Sequence, residues 1–176
     1  MKEIQVGIVM GSDSDLAIMK KCGEALDLFG IGYEMVISSA HRHPDKTARY
    51  ARGAAESGLK VIVAGAGGAA HLPGVIASMT LLPVIGVPVA IEPMHGVDSL
   101  YSIVQMPQGI PVATVAVNGA YNAGLLAVQI LAVHDAKLTD QLNSYRQELA
   151  AKVEEKDCLL REQSVQCRQN KTGDRK

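Results

Sequence analysis

The stretch from Val61 to Gly74 constrains the fold more than any other part of this chain. It reads VIVAGAGGAAHLPG. Its first four residues are apolar and mostly β-branched, which is typical of a strand buried on both faces of a parallel sheet. Glycine and alanine follow, and Pro73 stands where the first turn of a helix is expected. Such a strand, turn and helix leave backbone amides at the sheet edge for an anionic or closely approaching ligand. The alternative is a tight turn packed against a neighbouring subunit.

Strands and helices alternate along the rest of the chain. We predict strands at Ile4–Met10, Tyr33–Ser38, Val61–Ala64, Val84–Val89 and Ala113–Val117. The alternation indicates a doubly wound parallel sheet. Five such strands fit an α/β fold, a flavodoxin-like three-layer α/β/α sandwich with a five-stranded parallel sheet, plus a C-terminal helix. Ligands of such sheets bind at the carboxyl ends of the strands.

Two helical segments close the chain. Ala120 to Val133 is apolar on every side apart from Asn122 and Gln129. A helix of this kind must be buried all round, which in one small domain usually requires a second subunit. The next helix, from about Leu138, is amphipathic. We therefore predict a single flavodoxin-like catalytic domain with its C-terminal helix at residues 1–160, and a flexible tail, rich in Arg, Gln, Lys and Asn, at residues 161–176.

Composition excludes several classes of function. The net charge is −1 and only 3% of residues are aromatic, which argues against nucleic acid as a partner. The 3 cysteines form no CxxC pair, which suits a reducing compartment. The chain enters a strand within a few residues, with no signal peptide, and no unbroken apolar run reaches the length of a membrane span. We expect a cytoplasmic protein that binds neither nucleic acid nor membrane.

Three loops that follow strands should meet at one edge of the sheet: GSDSD, SSAHRHPD and AGAGGAAHLPG. Ser12 and Ser14 stand at a helix start, where hydroxyls and amides can hold phosphate, although either could be only an N-cap. The guanidinium of Arg42 suits a phosphate. The imidazole of His41 can give or take a proton near neutral pH, although a histidine in a loop can equally be structural.

Other kinds of site are less well supported. His41 and His43 form an HxH pair, to which His71 or Asp15 could add a third metal ligand. Pro44 begins a helix and should turn His43 away, so we predict no metal site. No GxxxxGK[ST] or GxSxG motif occurs. The glycine run only loosely resembles a dinucleotide fingerprint, because it follows the third strand and no acidic residue ends the next one.

The motifs MGSDSD, SAHRHPD, AGAGGAAHLPG and GVDSLYSIVQMPQGIPVAT, in this order, closely resemble a family of de novo purine synthesis. This is the N5-carboxyaminoimidazole ribonucleotide mutase family, also known as the catalytic subunit of phosphoribosylaminoimidazole carboxylase. The resemblance runs from about Gln5 to Arg146. It implies a homo-octamer with active sites between subunits and no metal or organic cofactor. His43 and the segment AIEPMH, Ala90 to His95, depart from the family pattern, and the segment could alter one wall of the site.

The resemblance also implies roles for the loop residues. His41 is the general acid/base, Arg42 binds the substrate phosphate, and the other substrate-binding residues are Ser12, Asp15, Gly11, Ser39, Gly67 and His71. The implied reaction moves a carboxylate from N5 to C4 of aminoimidazole ribonucleotide by decarboxylation, CO₂ trapping and recarboxylation. The implied partners are this ribonucleotide and CO₂. Two alternatives remain open: a direct aminoimidazole ribonucleotide carboxylase that uses CO₂, and a non-catalytic nucleotide-binding module.

Overall fold

The computed structural model describes residues 3–173, with side chains described for residues 3–161. Its strands are β1 Ile4–Met10, β2 Gly32–Ile37, β3 Val61–Gly67, β4 Val84–Val89 and β5 Ala113–Thr114. The helices are α1 Leu16–Leu28, α2 Pro44–Gly53, α3 Leu72–Ala77, α4 Val97–Val104, α5 Ala120–Ala132 and α6 Ala136–Gly173. All strand pairs are parallel, and the strand order is β2-β1-β3-β4-β5. The predicted doubly wound, flavodoxin-like sheet is confirmed.

Helices cover both faces of this sheet. On one face α1 and α5 pack together, and Gly65 of β3 lies against the side chain of Met19 in α1. On the other face, residues of α2, α3 and α4 share one apolar core with Ile62 and Ala64 of β3. Since alternate residues of β3 point to the two faces, the strand is buried on both sides, as its run of apolar residues predicts.

The α1 and α5 helices approach each other closely because small residues line their contact. A Cβ atom at Gly124 would lie 2.7 Å from the carbonyl oxygen of Cys22 and 2.8 Å from the Cβ of Ala25. Only glycine fits there without a shift of the backbone. The Cys22 side chain is buried at this contact, and burial raises the pKa of its thiol to about 12.

Strand β5 is shorter than predicted. It spans Ala113–Thr114, whereas the sequence predicted a strand as far as Val117. Its neighbour β4 contains Pro88, which has no N–H group to donate across the ladder. The chain still follows β4 beyond Thr114, because the N–H groups of Val115 and Asn118 donate to Gly86 O and Pro88 O at 3.1 and 2.8 Å. The prediction of a full fifth strand was therefore wrong in length only.

Helix α5 buries mainly its small residues. Ala123, Gly124, Ala127 and Val128 are buried, whereas its bulky Leu125, Leu126, Ile130 and Leu131 remain only half-buried. That a second subunit covers the remaining apolar surface stays a prediction. Within residues 3–173, the structure contains no helix that is both long enough and apolar enough to cross a membrane.

The chain divides into two units, Met1–Asp135 and Ala136–Lys176. The second unit contains the predicted C-terminal helix, α6. Along α6 an exposed ion pair joins Arg161 Nε and Asp157 Oδ2 at 2.8 Å, one helical turn apart. The helix continues to Gly173, so it includes most of the segment predicted as a tail. The boundary at residue 160 and the flexibility of residues 161–176 stay predictions.

Candidate active site

A cleft of about 420 Å³ opens at the carboxyl ends of the strands. It is lined by three βα loops and the segment after β4, with these residues: Gly11, Ser12, Ser14, Asp15, Ser39, Ala40, His41, Arg42, Ala66, Gly67, Ala69, His71, Leu72 and Ile91. The structure thus brings together every residue that the sequence predicts at the site. Their individual roles stay predictions.

The loop after β1 supplies hydroxyls and a buried carboxyl. The backbone N–H of Ser14 donates to the hydroxyl of Ser12, which caps a short 3₁₀ turn, Asp13–Asp15. Asp15 is only 5% exposed. Burial raises the pKa of Asp15 above its usual 3.8, and hydrogen bonds from the Ser12 backbone and the Ser14 hydroxyl partly offset this. A carboxyl held in this way at a cleft can hydrogen-bond to hydroxyl groups of a ligand.

Arg42 connects two of the loops. Its Nη2 donates to the carbonyl oxygen of Gly11 at 2.9 Å, and its Nε donates to the hydroxyl of Ser39 at 3.3 Å. The same hydroxyl accepts the backbone N–H of Arg42 at 3.2 Å. A guanidinium has five N–H donors, so these two side-chain bonds leave others for an anion. The arginine is thus held at the cleft by bonds to Gly11 and Ser39 that use only part of its donor capacity.

His41 and His71 meet across the cleft. Nε2 of His41 lies 2.8 Å from Nδ1 of His71, and the rings stand edge to face with centroids 4.9 Å apart. Either ring can be the donor, because the direction of the bond depends on the tautomers. The sequence placed both residues at the site but did not predict that they bond to each other. A histidine whose tautomer is set by a second histidine is suited to proton transfer.

The remaining wall of the cleft is apolar. Gly67 and Ala66 end β3, and Gly68 follows with a left-handed φ of 64° that favours glycine. Ile91, which comes after β4, lies over these glycines. The segment Ala90 to His95, which departs from the family pattern, was expected to alter one wall of the site, but Ile91 itself was not predicted there. Its position just after a strand that pairs with β3 was the available signal.

His43 takes no part in the cleft. It is the residue before α2, and Pro44 follows at the first position of that helix, as the sequence predicts. Among the residues with described side chains, no three His, Cys, Asp or Glu lie close enough together to hold a metal ion. Of the HxH pair, His41 lines the cleft together with His71 and Asp15, whereas His43 does not.

Comparisons with known proteins bear on this site. The model of the AIR carboxylase family matches residues 5–152. The N5-carboxyaminoimidazole ribonucleotide mutases of Pyrococcus horikoshii and Thermotoga maritima are 55% and 56% identical, over 89% and 86% of this chain and 89% of each of theirs. A phosphoribosylaminoimidazole carboxylase of Schizosaccharomyces pombe is 58% identical over 86% of this chain but only 27% of its own length. The crystal structure of Treponema denticola PurE is similar with a TM-score of 0.80 and 31% identity, over 88% of this chain and 96% of that one.

Proposed function

The chain belongs to the AIR carboxylase family, and on that basis we infer that it is a mutase of purine biosynthesis. It converts N5-carboxyaminoimidazole ribonucleotide to 4-carboxy-5-aminoimidazole ribonucleotide. Its mutase relatives are matched over nearly their whole length, whereas the carboxylase of Schizosaccharomyces pombe contains much additional chain. This difference favours the mutase over a direct carboxylase. The observation that carries the proposal is the convergence of a histidine pair, an arginine and an apolar wall in one cleft.

We propose that the polar residues of the cleft hold the ribonucleotide. Arg42 binds the phosphate through the N–H groups that Gly11 and Ser39 do not use. In the loop after β1, the hydroxyl of Ser12 donates to the phosphate, and the carboxyl of Asp15 accepts a hydrogen bond from a ribose hydroxyl. The base then lies toward His41, beside Gly67. Since Arg42 bridges two loops, these contacts are preset rather than formed by the ligand.

The reaction then proceeds in two half-reactions. The bond between N5 and the carboxyl carbon breaks, CO₂ leaves, and the electron pair returns to N5, which takes a proton from His41. The electron-rich ring then attacks CO₂ through C4, and the displaced C4 proton passes to His41, which is restored. Keeping CO₂ in the cleft replaces a bimolecular encounter with a local one. His71 orients the ring of His41 through their hydrogen bond.

We further propose a homo-octamer with active sites between subunits, working in the cytoplasm. Three large side chains one turn apart on α4, Val97, Tyr101 and Val104, are exposed. They form an apolar stripe that a second subunit would cover. The half-buried leucines of α5 support the same assembly. Light scattering on the purified protein should therefore give a mass near eight times that of the 18.6 kDa chain, and a monomer at micromolar concentration would contradict the assembly.

A labelling experiment tests the reaction. The protein is given N5-carboxyaminoimidazole ribonucleotide in buffer that contains labelled bicarbonate, with a protein-free blank to correct for spontaneous loss of CO₂. We expect the C4-carboxylated product with little label, because the enzyme returns its own CO₂. Full labelling from aminoimidazole ribonucleotide would instead identify a direct carboxylase. Absence of any conversion would refute the proposed function.

A further inference from the structure

We propose that Ile91 is the residue that retains CO₂ between the two half-reactions. The inference rests on the proposed function and assigns that task to one side chain. Ile91 lines the cleft and is 44% exposed, although it is a large aliphatic residue. It belongs to the segment Ala90 to His95, which follows β4 and is separate from the three loops that carry the polar residues.

The side chain of Ile91 occupies the space above the glycine loop. A Cβ atom at Gly67 would lie 2.9 Å from Cγ2 of Ile91, and one at Gly68 would lie 3.3 Å from its Cδ1. The loop itself therefore supplies only backbone at this point. Its apolar covering comes from Ile91, in the segment that follows β4. Because Gly67 and Gly68 have no side chains, the side chain of Ile91 can occupy the space above them.

The backbone on both sides of Ile91 is fixed. The N–H of Ala90 donates to Oδ1 of Asn118 at 2.9 Å, and the N–H of Asn118 donates to Pro88 O at 2.8 Å. On the other side, the carbonyl of Ile91 accepts the N–H of His95 at 2.9 Å. The isoleucine is thus held in place before any ligand binds, so it forms a wall of the cleft.

The chemistry of CO₂ explains why this wall is aliphatic. CO₂ has no net dipole and accepts hydrogen bonds poorly, and its competitor for space in the cleft is water. The cleft is lined by apolar residues as well as by Ser39, His41 and Arg42. Beyond β3 these apolar residues include Ala69, Leu72 and Ile91. Because methyl groups offer water no hydrogen bond, they exclude water from this part of the cleft and leave room for CO₂. Leu72 is buried at 3% exposure, whereas Ile91 is 44% exposed, so Ile91 is the large aliphatic side chain that should decide whether CO₂ stays or escapes.

The test measures how released CO₂ is partitioned. Wild type, Ile91→Ser and Ile91→Val are each given N5-carboxyaminoimidazole ribonucleotide, and the ratio of C4-carboxylated product to free aminoimidazole ribonucleotide is determined, with the protein-free blank subtracted. Ile91→Val keeps both branches at Cβ and loses only the Cδ1 that reaches Gly68. The matched control is Met94→Ser, an exposed residue of the same segment that does not line the cleft.

We expect Ile91→Ser to lower the product ratio at least about threefold, since several dispersion contacts are lost and water enters. It should also raise incorporation of labelled bicarbonate. Ile91→Val should lie between it and wild type, while Met94→Ser should match wild type and KM should change little. An unchanged ratio in both Ile91 variants, or an equal fall in Met94→Ser, would overturn the inference. If Ile91→Ser does not fold, the ratio for Ile91→Val decides alone. If wild type itself converts nothing, the proposed function fails and this inference with it.

Discussion

Replacing His71 tests whether His41 acts within a hydrogen-bonded pair. His71→Ala removes the 2.8 Å bond to Nε2 of His41 and leaves the ring of His41, the proposed proton carrier, in place. Both rings are exposed, so the lost bond should be worth about 0.5–1.5 kcal/mol. That corresponds to a fall of about two- to thirteenfold in kcat/KM for the mutase reaction. The loss should appear mainly in kcat, because the proposed phosphate ligand, Arg42, is untouched.

The fall in rate for His71→Ala has to be compared with the fall in rate for His41→Asn. His41→Asn cannot carry the proton and should lose about 10²–10⁴-fold in kcat. Once His41 is gone, its partner has nothing to orient, so the double variant His41→Asn/His71→Ala should be within about twofold of the single His41→Asn. His71→Asn places an amide near the former Nδ1 and should recover part of the rate. If His71→Ala loses as much as His41→Asn, then His71 itself transfers a proton, and the assigned roles are wrong.

Three further predictions follow from the cleft and the tail. Arg42→Ala should weaken binding of the ribonucleotide about ten- to a hundredfold in calorimetry, and an unchanged affinity would place the phosphate elsewhere. Because burial raises the pKa of Asp15 in the folded state above 3.8, the folded protein binds more protons than the unfolded chain above that pH, and Asp15 costs stability as pH rises. As the pH rises from 3.8, the unfolding temperature of Asp15→Asn should therefore increase relative to that of wild type, and a difference that does not change with pH would contradict this. Ending the chain after Glu162 should leave activity and light-scattering mass unchanged, because the sequence beyond it has no apolar periodicity. Loss of either would mean that the tail docks on a neighbour.

The parts of the fold that local sequence determines could be predicted. β1 and β4 have the predicted bounds. Both are rich in Val and Ile, Gly11 follows the end of β1, and Pro83 precedes the start of β4. Pro44 begins α2 as predicted, and Gly30 follows α1 with a left-handed φ of 71°, a conformation that favours glycine after a helix. The meeting of the three loops could also be predicted, because the carboxyl ends of parallel strands share one edge.

Contacts between distant parts of the chain could not be predicted in this way. His41 and His71 follow β2 and β3, which are separated by β1 in the sheet, so no local pattern shows that their side chains can reach each other. Ile91 stands above Gly67 because Val89 pairs with Gly67 in the register of β3 and β4. That register is a property of the folded sheet. The length of β5 likewise depends on Pro88 in a neighbouring strand.

A phosphate that enters the cleft meets an arginine whose position is already set by Gly11 and Ser39. Little side-chain freedom remains to be lost on contact, so capture should need no slow rearrangement after the first encounter. Association would then be a single step, governed by diffusion and slowed by added salt. For a carbamate that loses CO₂ spontaneously in water, speed of capture matters as much as affinity. With Arg42 as the proposed phosphate ligand, its preset position would shorten the time that the substrate spends free in water, where it decays.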